Sequence, residues 1–291
     1  MKKLKCYCKE MRVKHYIKNF LVLVPLACSG KLLHSEKLTM AVFAFLSFCL
    51  LSSAIYCIND IADVEKDRKH PTKCKRPIAA GDISVKAAIV FAGCLIGFSV
   101  LFNSLCFHPL SSLLLLAYFL INVGYSFGLK NVPLLDIMLL VSGFVIRVLY
   151  GSVVTDIHIS NWLYLVVMAG AFYLGLGKRR NEYKKLGSGE TREVIGRYPL
   201  SFLDANMNMF MGLMIVFYAL WTVDERTIAV YNGNRLIWTV PFVMLIFMKY
   251  SLTVEGNNDG DPVEVLMHDK VLLGLCFVYL ALMFTLLYIV R

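Results

Sequence analysis

Nine long apolar segments dominate this sequence of 291 residues, and each is about as long as a membrane-crossing helix. Roughly 20 apolar residues in an α-helix span the ~30 Å hydrocarbon core of a bilayer. These segments explain why 58% of the residues are hydrophobic, against about 45–50% in soluble domains. The sequence therefore predicts an all-α integral membrane protein, a single domain over residues 1–291 with nine transmembrane helices. The predicted spans are residues 17–33, 38–58, 84–106, 109–127, 133–156, 161–178, 202–223, 236–254 and 270–290.

Lysine and arginine are distributed unevenly between the loops that these spans would create. If the N-terminus is cytoplasmic, the inner segments hold 23 of these residues, while the outer segments and the C-terminal residue hold 5. Because basic loop residues favour the cytoplasmic side, we predict a multi-pass protein of the cell membrane with a cytoplasmic N-terminus. The two long polar loops, 59–82 and 178–201, then face the cytoplasm and are the predicted active-site loops.

The net charge of +10 belongs to this topology pattern, because the basic residues lie in short loops between spans. No basic domain is present that would bind DNA or RNA, so we predict no nucleic-acid partner. The nine cysteines form no Cys-x-x-Cys pair, which is typical of reduced thiols without a shared metal.

Three aspartates follow the second predicted span at helical spacing. Asp60, Asp63 and Asp67 are spaced i, i+3 and i+7, so at ~100° per residue they share one helix face, with Asn59 at its edge. Aligned carboxylates repel each other, and a hard divalent cation such as Mg²⁺ removes that repulsion. We predict that these four residues bind Mg²⁺ and that the aspartates are catalytic. The alternative is a solvated acidic helix end.

A basic segment follows the aspartates directly. It contains Arg68, His70, Lys73 and Arg76, and Pro71 is expected to end the helix. Arginine binds phosphate through two nitrogens, and lysine provides a point charge. Beside a metal site these cations favour a polyphosphorylated substrate. The alternative is an anchor to anionic lipid headgroups.

These residues resemble a known family. The pattern from Asn59 to Asp67 resembles the first aspartate-rich motif of the UbiA superfamily of intramembrane prenyltransferases, which implies a nine-helix bundle, Mg²⁺ and a diphosphate substrate. The segment from Arg68 to Gly81 is similar to the version in one branch of that superfamily, the decaprenyl-phosphate phosphoribosyltransferases. This chain departs from the N-terminal motif of that branch at His15 and Tyr16, where the branch has glutamine and tryptophan. Further matches to the branch are Arg12, Lys18 and Asn19; Tyr125, Ser126, Leu129, Lys130 and Asp136; Gly143, Phe144, Arg147 and Gly151; Gly177 to Arg180 with Glu182; and Gly260, Asp261, Pro262 and Glu264.

One position departs from ordinary superfamily members. Aromatic prenyltransferases have a second aspartate motif after the sixth span, whereas this chain has Lys178, Arg179, Arg180 and Glu182 there. More cations suit a donor with an additional phosphate, and the resemblance therefore implies transfer of phosphoribose from phosphoribosyl pyrophosphate to a polyprenyl phosphate. The predicted substrate-binding residues are Lys18, Asn19, Asn59, Arg68, His70, Lys73, Arg76, Tyr125, Lys130, Arg147, Lys178, Arg179 and Glu182.

Arg147 lies in the middle of a predicted span, where an arginine costs at least about 2.5–3.5 kcal/mol. It either contacts a substrate phosphate or forms a structural ion pair, with Asp136 or with another helix. Two other functions remain open for the whole chain. One is an aromatic prenyltransferase that uses the aspartates to ionise a polyprenyl diphosphate, and the other is a transporter or lipid-binding scaffold.

Overall fold

The structure, a computed structural model, describes residues 2–106, 108–184, 193–255 and 262–290. All regular structure in these ranges is helical, and they contain no β-strand. The α-helices are α1 (Lys2–Glu10), α2 (Val24–Ala27), α3 (Ser35–Ala62), α4 (Val64–Lys69), α5 (Val85–Ser104), α6 (Pro109–Ser126), α7 (Leu135–Thr155), α8 (Asn161–Lys184), α9 (Leu200–Thr222), α10 (Glu225–Tyr231), α11 (Val240–Glu255), α12 (Pro262–His268) and α13 (Lys270–Phe284).

Among the described residues, seven helical segments are long and apolar enough to cross a membrane. They are Ser35–Ala62, Val85–Ser104, Pro109–Ser126, Leu135–Thr155, Leu200–Thr222, Arg235–Glu255 and Lys270–Ile289. The all-α membrane class is therefore confirmed, and these seven coincide with seven of the predicted spans.

The remaining two predicted spans look different. Residues 17–33 form no long α-helix: a 3₁₀ helix covers Val13–Leu23 and the short α2 follows it. The span predicted at 161–178 is helical and lies within the 24-residue α8. That helix continues into the charged residues after 177 and is not among the seven apolar segments. The count of nine and the cytoplasmic N-terminus stay predictions.

The chain divides into two compact units. The first comprises residues 1–26, 33–130 and 146–157. Its core packs Phe48, Tyr118 and Tyr150 among aliphatic side chains of α3, α5 and α6. Where α3 meets α5, Ser47 and Ser99 each donate a hydroxyl hydrogen bond of 2.8 Å to the carbonyl oxygen of the other. Small side chains at this contact allow two apolar helices to approach closely.

The second unit comprises residues 27–32, 131–145 and 158–291. Its core joins α8 to α9 around Tyr173 and Leu203, both fully buried. Phe172 and Phe210 stack with ring centroids 4.4 Å apart. The Tyr173 hydroxyl lies 2.8 Å from that of Ser251 on α11, so its polar end has a partner inside this apolar packing.

The expectation of one continuous helix through the aspartates was wrong. Helix α3 ends at Ala62, and Asp63 has a non-helical backbone (φ −96°, ψ 9°) before the six-residue α4 begins. Because of this break, Asp60 and Asp67 do not lie on one face of a continuous helix. Helix α4 ends at Lys69, just before Pro71, as predicted.

Candidate active site

A buried ionic cluster forms where α3, α4 and the following loop meet. Asp60 and Asp67 are each 3% exposed. Arg76 bridges them: its Nη1 donates to Asp60 Oδ1 at 2.9 Å and to Asp67 Oδ2 at 2.7 Å. The structure thus brings together two of the three predicted aspartates and one of the predicted cations, although Arg76 joins them instead of a shared helix face.

The loop between α4 and α5 is folded so that it returns Arg76 to the aspartates. The Nδ1 atom of His70 accepts hydrogen bonds from the amides of Thr72 and Lys73, each at 3.3 Å. Gly81 then reverses the chain with a φ of 82°, a left-handed value that glycine adopts without a steric penalty. The described contacts of His70 Nδ1 therefore hold this loop, whereas the sequence predicted a substrate contact.

Arg12 completes the ionic cluster, although sequence reasoning gave it only as part of a motif. Its Nη2 lies 2.6 Å from Oδ1 and 2.7 Å from Oδ2 of Asp60. Its guanidinium also stacks over the Tyr56 ring, 4.6 Å from the centroid. The Arg12 backbone is left-handed, with φ 51°, a conformation that costs a non-glycine residue about 1–2 kcal/mol. Such strain is typical of positions where side-chain placement matters.

The third aspartate and Asn59 contact a different element. Asp63 lies 3.6 Å from the Nζ of Lys130, after the end of α6. Asn59 Oδ1 accepts a short hydrogen bond from the Ser126 hydroxyl at the end of α6. The region after α6, which the motif match had indicated, therefore lies against the aspartate segment.

Four other predicted substrate-binding residues lie in the first unit. Arg68 is exposed and pairs with Glu65 at 2.8 Å, one turn away. Lys18, Lys73 and Tyr125 are half-buried.

Two more residues predicted to bind substrate, Asn19 and Arg147, meet inside the first unit. Arg147 is 6% exposed. Its Nε donates to Asn19 Oδ1 at 2.8 Å, and its Nη2 donates to the Tyr118 hydroxyl at 2.9 Å. The guanidinium also lies 4.9 Å from the ring centroid of Phe48. These contacts favour the structural role that the sequence left open for Arg147.

A second buried ion cluster lies in the second unit. Arg179 and Asp136 are both fully buried, with Nε and Oδ2 2.6 Å apart. Arg179 also pairs with Glu182 at 2.6 Å. The Tyr198 hydroxyl donates to Asp136 Oδ1 at 2.5 Å. Burial, with Asp136 next in importance, raises the pKa of Tyr198 to about 12. Asp136, considered above as a partner for Arg147, is thus bound by Arg179.

Arg180, another cation of this motif, is also close to acids. Arg180 pairs with Asp204 and, at 2.6 Å, with Glu255. Lys178 is half-buried. The predicted motif at Gly260 and Asp261 lies outside the described residues.

The donor chemistry of the aspartate cluster fits Mg²⁺. No group of three His, Cys, Asp or Glu side chains in the described ranges is already arranged around a metal position. Mg²⁺ does not require one, since it usually takes one or two carboxylates and completes its octahedron with water and substrate phosphate. Asp60 and Asp67 supply two buried carboxylates, and their neighbours Arg12 and Arg76 are cations suited to phosphate oxygens.

A bundle of apolar helices with a buried carboxylate–arginine cluster beside one helix end defines an integral membrane protein with a charged site. The family model described as the UbiA prenyltransferase family matches residues 22–268. The chain therefore belongs to the UbiA prenyltransferase family, which confirms the resemblance seen in its motifs.

Similar proteins narrow the position within that family. The chain is 35% identical over 284 residues to the decaprenyl-phosphate phosphoribosyltransferase of Corynebacterium glutamicum, covering 94% of this chain and 85% of that protein. It is 34% identical over 277 residues to the protein of the same name from Mycolicibacterium smegmatis, covering 91% and 86%.

Solved structures agree on the fold. A UbiA homologue from Archaeoglobus fulgidus bound to GPP and Mg²⁺ superposes with a TM-score of 0.71 at 16% identity, covering 97% of this chain and 99% of that one. A structure of digeranylgeranylglyceryl phosphate synthase gives 0.64 at 18% identity, covering 97% and 98%. At these identities the likeness establishes the fold.

Proposed function

We propose that this protein transfers the 5-phosphoribosyl group from phosphoribosyl pyrophosphate to a polyprenyl phosphate of the decaprenyl type, releasing pyrophosphate. The observation that carries the proposal is the buried cluster in which Arg76 bridges Asp60 and Asp67 beside Arg12. The phosphoribosyltransferase relatives, matched over almost the whole chain, support this substrate pair.

The two kinds of charged side chain have separate tasks in this reaction. Asp60 and Asp67, with Asp63 and Asn59 beside them, are the proposed holders of Mg²⁺, which when bound neutralises charge on the leaving pyrophosphate. Arg12 and Arg76 are already positioned at the carboxylates and would contact phosphate oxygens there. Such preorganised charge lowers the barrier most where charge develops in the transition state.

The acceptor requires little activation. A polyprenyl phosphate is already anionic near pH 7, so its oxygen can attack the ribose carbon without a strong general base. Lys130 at 3.6 Å from Asp63 would hold a phosphate near the aspartates. The apolar helices would hold the protein in the membrane, where the lipid acceptor is available.

The sequence at residues 178–182 favours the phosphoribosyl donor over a prenyl diphosphate. A second aspartate motif is replaced there by Lys178, Arg179 and Arg180. Because Arg179 and Arg180 are paired with acids, Lys178 is the cation of this motif proposed to meet the extra phosphate of the donor. Lys178 and Glu182 stay predicted contacts of that phosphate and of the ribose.

The topology belongs to the same proposal. Nine spans, with α8 and the region 17–33 added to the seven apolar segments, and a cytoplasmic N-terminus would place the aspartate loop in the cytoplasm of a cell-membrane protein. Phosphoribosyl pyrophosphate is water-soluble, so a cytoplasmic site would give it access.

The reaction is tested with purified protein, Mg²⁺, decaprenyl phosphate and phosphoribosyl pyrophosphate labelled in the ribose. We expect labelled lipid from the unaltered protein and a loss of turnover of at least about a hundredfold in Asp60→Asn. The control is Asp82→Asn, which removes the same charge from an exposed position in the same loop and should retain activity. Prenylation of an aromatic acid from an allylic diphosphate, without labelled phosphoribosyl lipid, would contradict the proposal.

A further inference from the structure

The aromatic ring of Tyr56 lies against Arg12, one of the two arginines proposed above to contact phosphate oxygens. The central carbon of the Arg12 guanidinium is 4.6 Å from the centroid of this ring. Tyr56 stands on α3 one helical turn before Asp60, outside the aspartate motif. It has no role in the function proposed above, although it touches a residue of the ionic cluster.

One face of α3 receives the segment that follows α1. Ser53, Tyr56 and Asp60 are three and four residues apart, so they lie on the same side of the helix. The Ser53 hydroxyl donates to the carbonyl oxygen of Met11 at 2.9 Å. Tyr56 and Asp60 both contact the side chain of the next residue, Arg12. This face of α3 therefore holds the backbone just before Arg12 and the Arg12 guanidinium itself.

The Arg12 guanidinium needs a second contact to fix its orientation. The ion pair with Asp60 uses one nitrogen, since Nη2 lies 2.6 Å and 2.7 Å from the two carboxylate oxygens. A contact through one nitrogen leaves the guanidinium plane free to turn, whereas a ring packed on the guanidinium restricts it. The backbone of Arg12 is left-handed, with φ 51°, and such a conformation persists only where surrounding contacts hold it.

The remaining nitrogens of Arg12 are available to a ligand. Arginine carries five N–H donors. Across residues 2–106, 108–184, 193–255 and 262–290, Nε and Nη1 of Arg12 donate no hydrogen bond. The side chain is 24% exposed. A phosphate group accepts two parallel hydrogen bonds from one guanidinium, and a guanidinium whose plane is already fixed loses less conformational entropy when it binds.

We propose that Tyr56 is a positioning residue for the pyrophosphate of the donor, and that the face of its ring acts through Arg12. The proposal rests on the function given above and extends it to a residue outside the family motif. A guanidinium is attracted by the negative face of an aromatic ring. The hydroxyl group is not needed for this attraction, so phenylalanine should replace Tyr56 and an aliphatic side chain should not.

The test measures binding of inorganic pyrophosphate in the presence of Mg²⁺, by isothermal titration calorimetry with purified full-length protein. We expect Tyr56→Leu to weaken binding about tenfold and Tyr56→Phe to stay within about twofold of the unaltered protein. Phe45→Leu is the matched control. It removes an aromatic ring from another half-buried position of α3, where the ring packs against Phe20, and should bind pyrophosphate normally.

A double-substitution cycle separates this role from general destabilisation. If Tyr56 acts through Arg12, adding Tyr56→Leu to Arg12→Gln should weaken pyrophosphate binding no further, because the guanidinium that the ring holds is already absent. Replacement of Tyr56 by phenylalanines with increasing numbers of ring fluorines is a second measurement. Fluorine withdraws negative charge from the ring face while nearly keeping its shape, so binding should weaken stepwise, even if Tyr56→Leu does not fold.

Three results would overturn the proposal: normal binding by Tyr56→Leu, effects that multiply in the double variant, or no dependence on fluorination. An unaltered protein that binds no pyrophosphate would also overturn it, and labelled lipid formed by the same preparation would leave the proposed reaction standing. Conversely, the expected binding pattern without any labelled lipid would support the role of Tyr56 and reject the phosphoribosyl transfer.

Discussion

Removing one member of the buried Arg179–Asp136 pair should destabilise the protein strongly. The two side chains are fully buried and their charged atoms lie 2.6 Å apart. Loss of one partner from such a pair costs about 3–5 kcal/mol, because the other charge stays buried without compensation. Arg179→Met should reach the upper end of that range, since it removes the arginine that pairs with both Asp136 and Glu182.

Substitution of Asp136 instead of Arg179 should destabilise the protein less. In Asp136→Asn the amide oxygen can still accept the hydrogen bond from Tyr198, and Glu182 still pairs with Arg179. We expect a loss near 3 kcal/mol, the lower end of the range. In the double variant the charge of Asp136 is removed together with that of Arg179, so its loss should be smaller than the sum of the single losses by about 2 kcal/mol.

Equilibrium unfolding by SDS in mixed micelles measures these differences. Labelling of the buried thiols of Cys49 and Cys57 reports unfolding, since neither is accessible in the folded protein. Transferase turnover is measured on the same preparations. If Arg179→Met unfolds within about 0.5 kcal/mol of the unaltered protein but loses turnover, the structural reasoning is refuted. Arg179 would then contact substrate, as its motif had suggested.

Two further substitutions test the packing and the electrostatics of the fold. In Gly151→Ala the new Cβ would lie 1.8 Å from the carbonyl oxygen of Val22, so we expect the folded protein to lose about 1–3 kcal/mol of stability. The loss is measured as a lower temperature at which the folded peak disappears in gel filtration after heating. Gly97→Ala is the control, because no atom lies within 4 Å of its new Cβ. The 2.7 Å ion pair with Lys249 holds the pKa of Asp269 well below its usual range. The stability that this ion pair adds is therefore present at pH 7 and is lost on acidification. Asp269→Asn should unfold at a lower temperature than the unaltered protein at pH 7, and the difference should shrink below about pH 4.

Local sequence patterns were sufficient for the class of fold. A span of apolar residues long enough to cross a bilayer has few alternatives to a helix, because unpaired backbone groups are too costly in hydrocarbon. Seven predicted spans therefore appear with nearly the predicted bounds. Residues 17–33 do not form one continuous α-helix, because total apolarity does not distinguish such a helix from the 3₁₀ helix and the short α-helix found there.

Local sequence patterns were not sufficient to predict the arrangement of the site. The spacing of Asp60 and Asp67 predicted that they act together, and they do meet, but through Arg76 and across a helix break that their periodicity did not reveal. Arg179 looked like a substrate-binding cation because its burial and its acidic partner depend on residues far away in the sequence.

The sequence by itself determined the membrane class, the family and the acidic and basic segments that carry the chemistry, since each depends on residues close together in the chain. Only the tertiary structure decided which charges neutralise one another. Arg12 reaches Asp60 from 48 residues away, because the docking of α1 onto α3 and α5 positions it. Periodicity within one helix contains no information about such contacts, which arise from packing between helices.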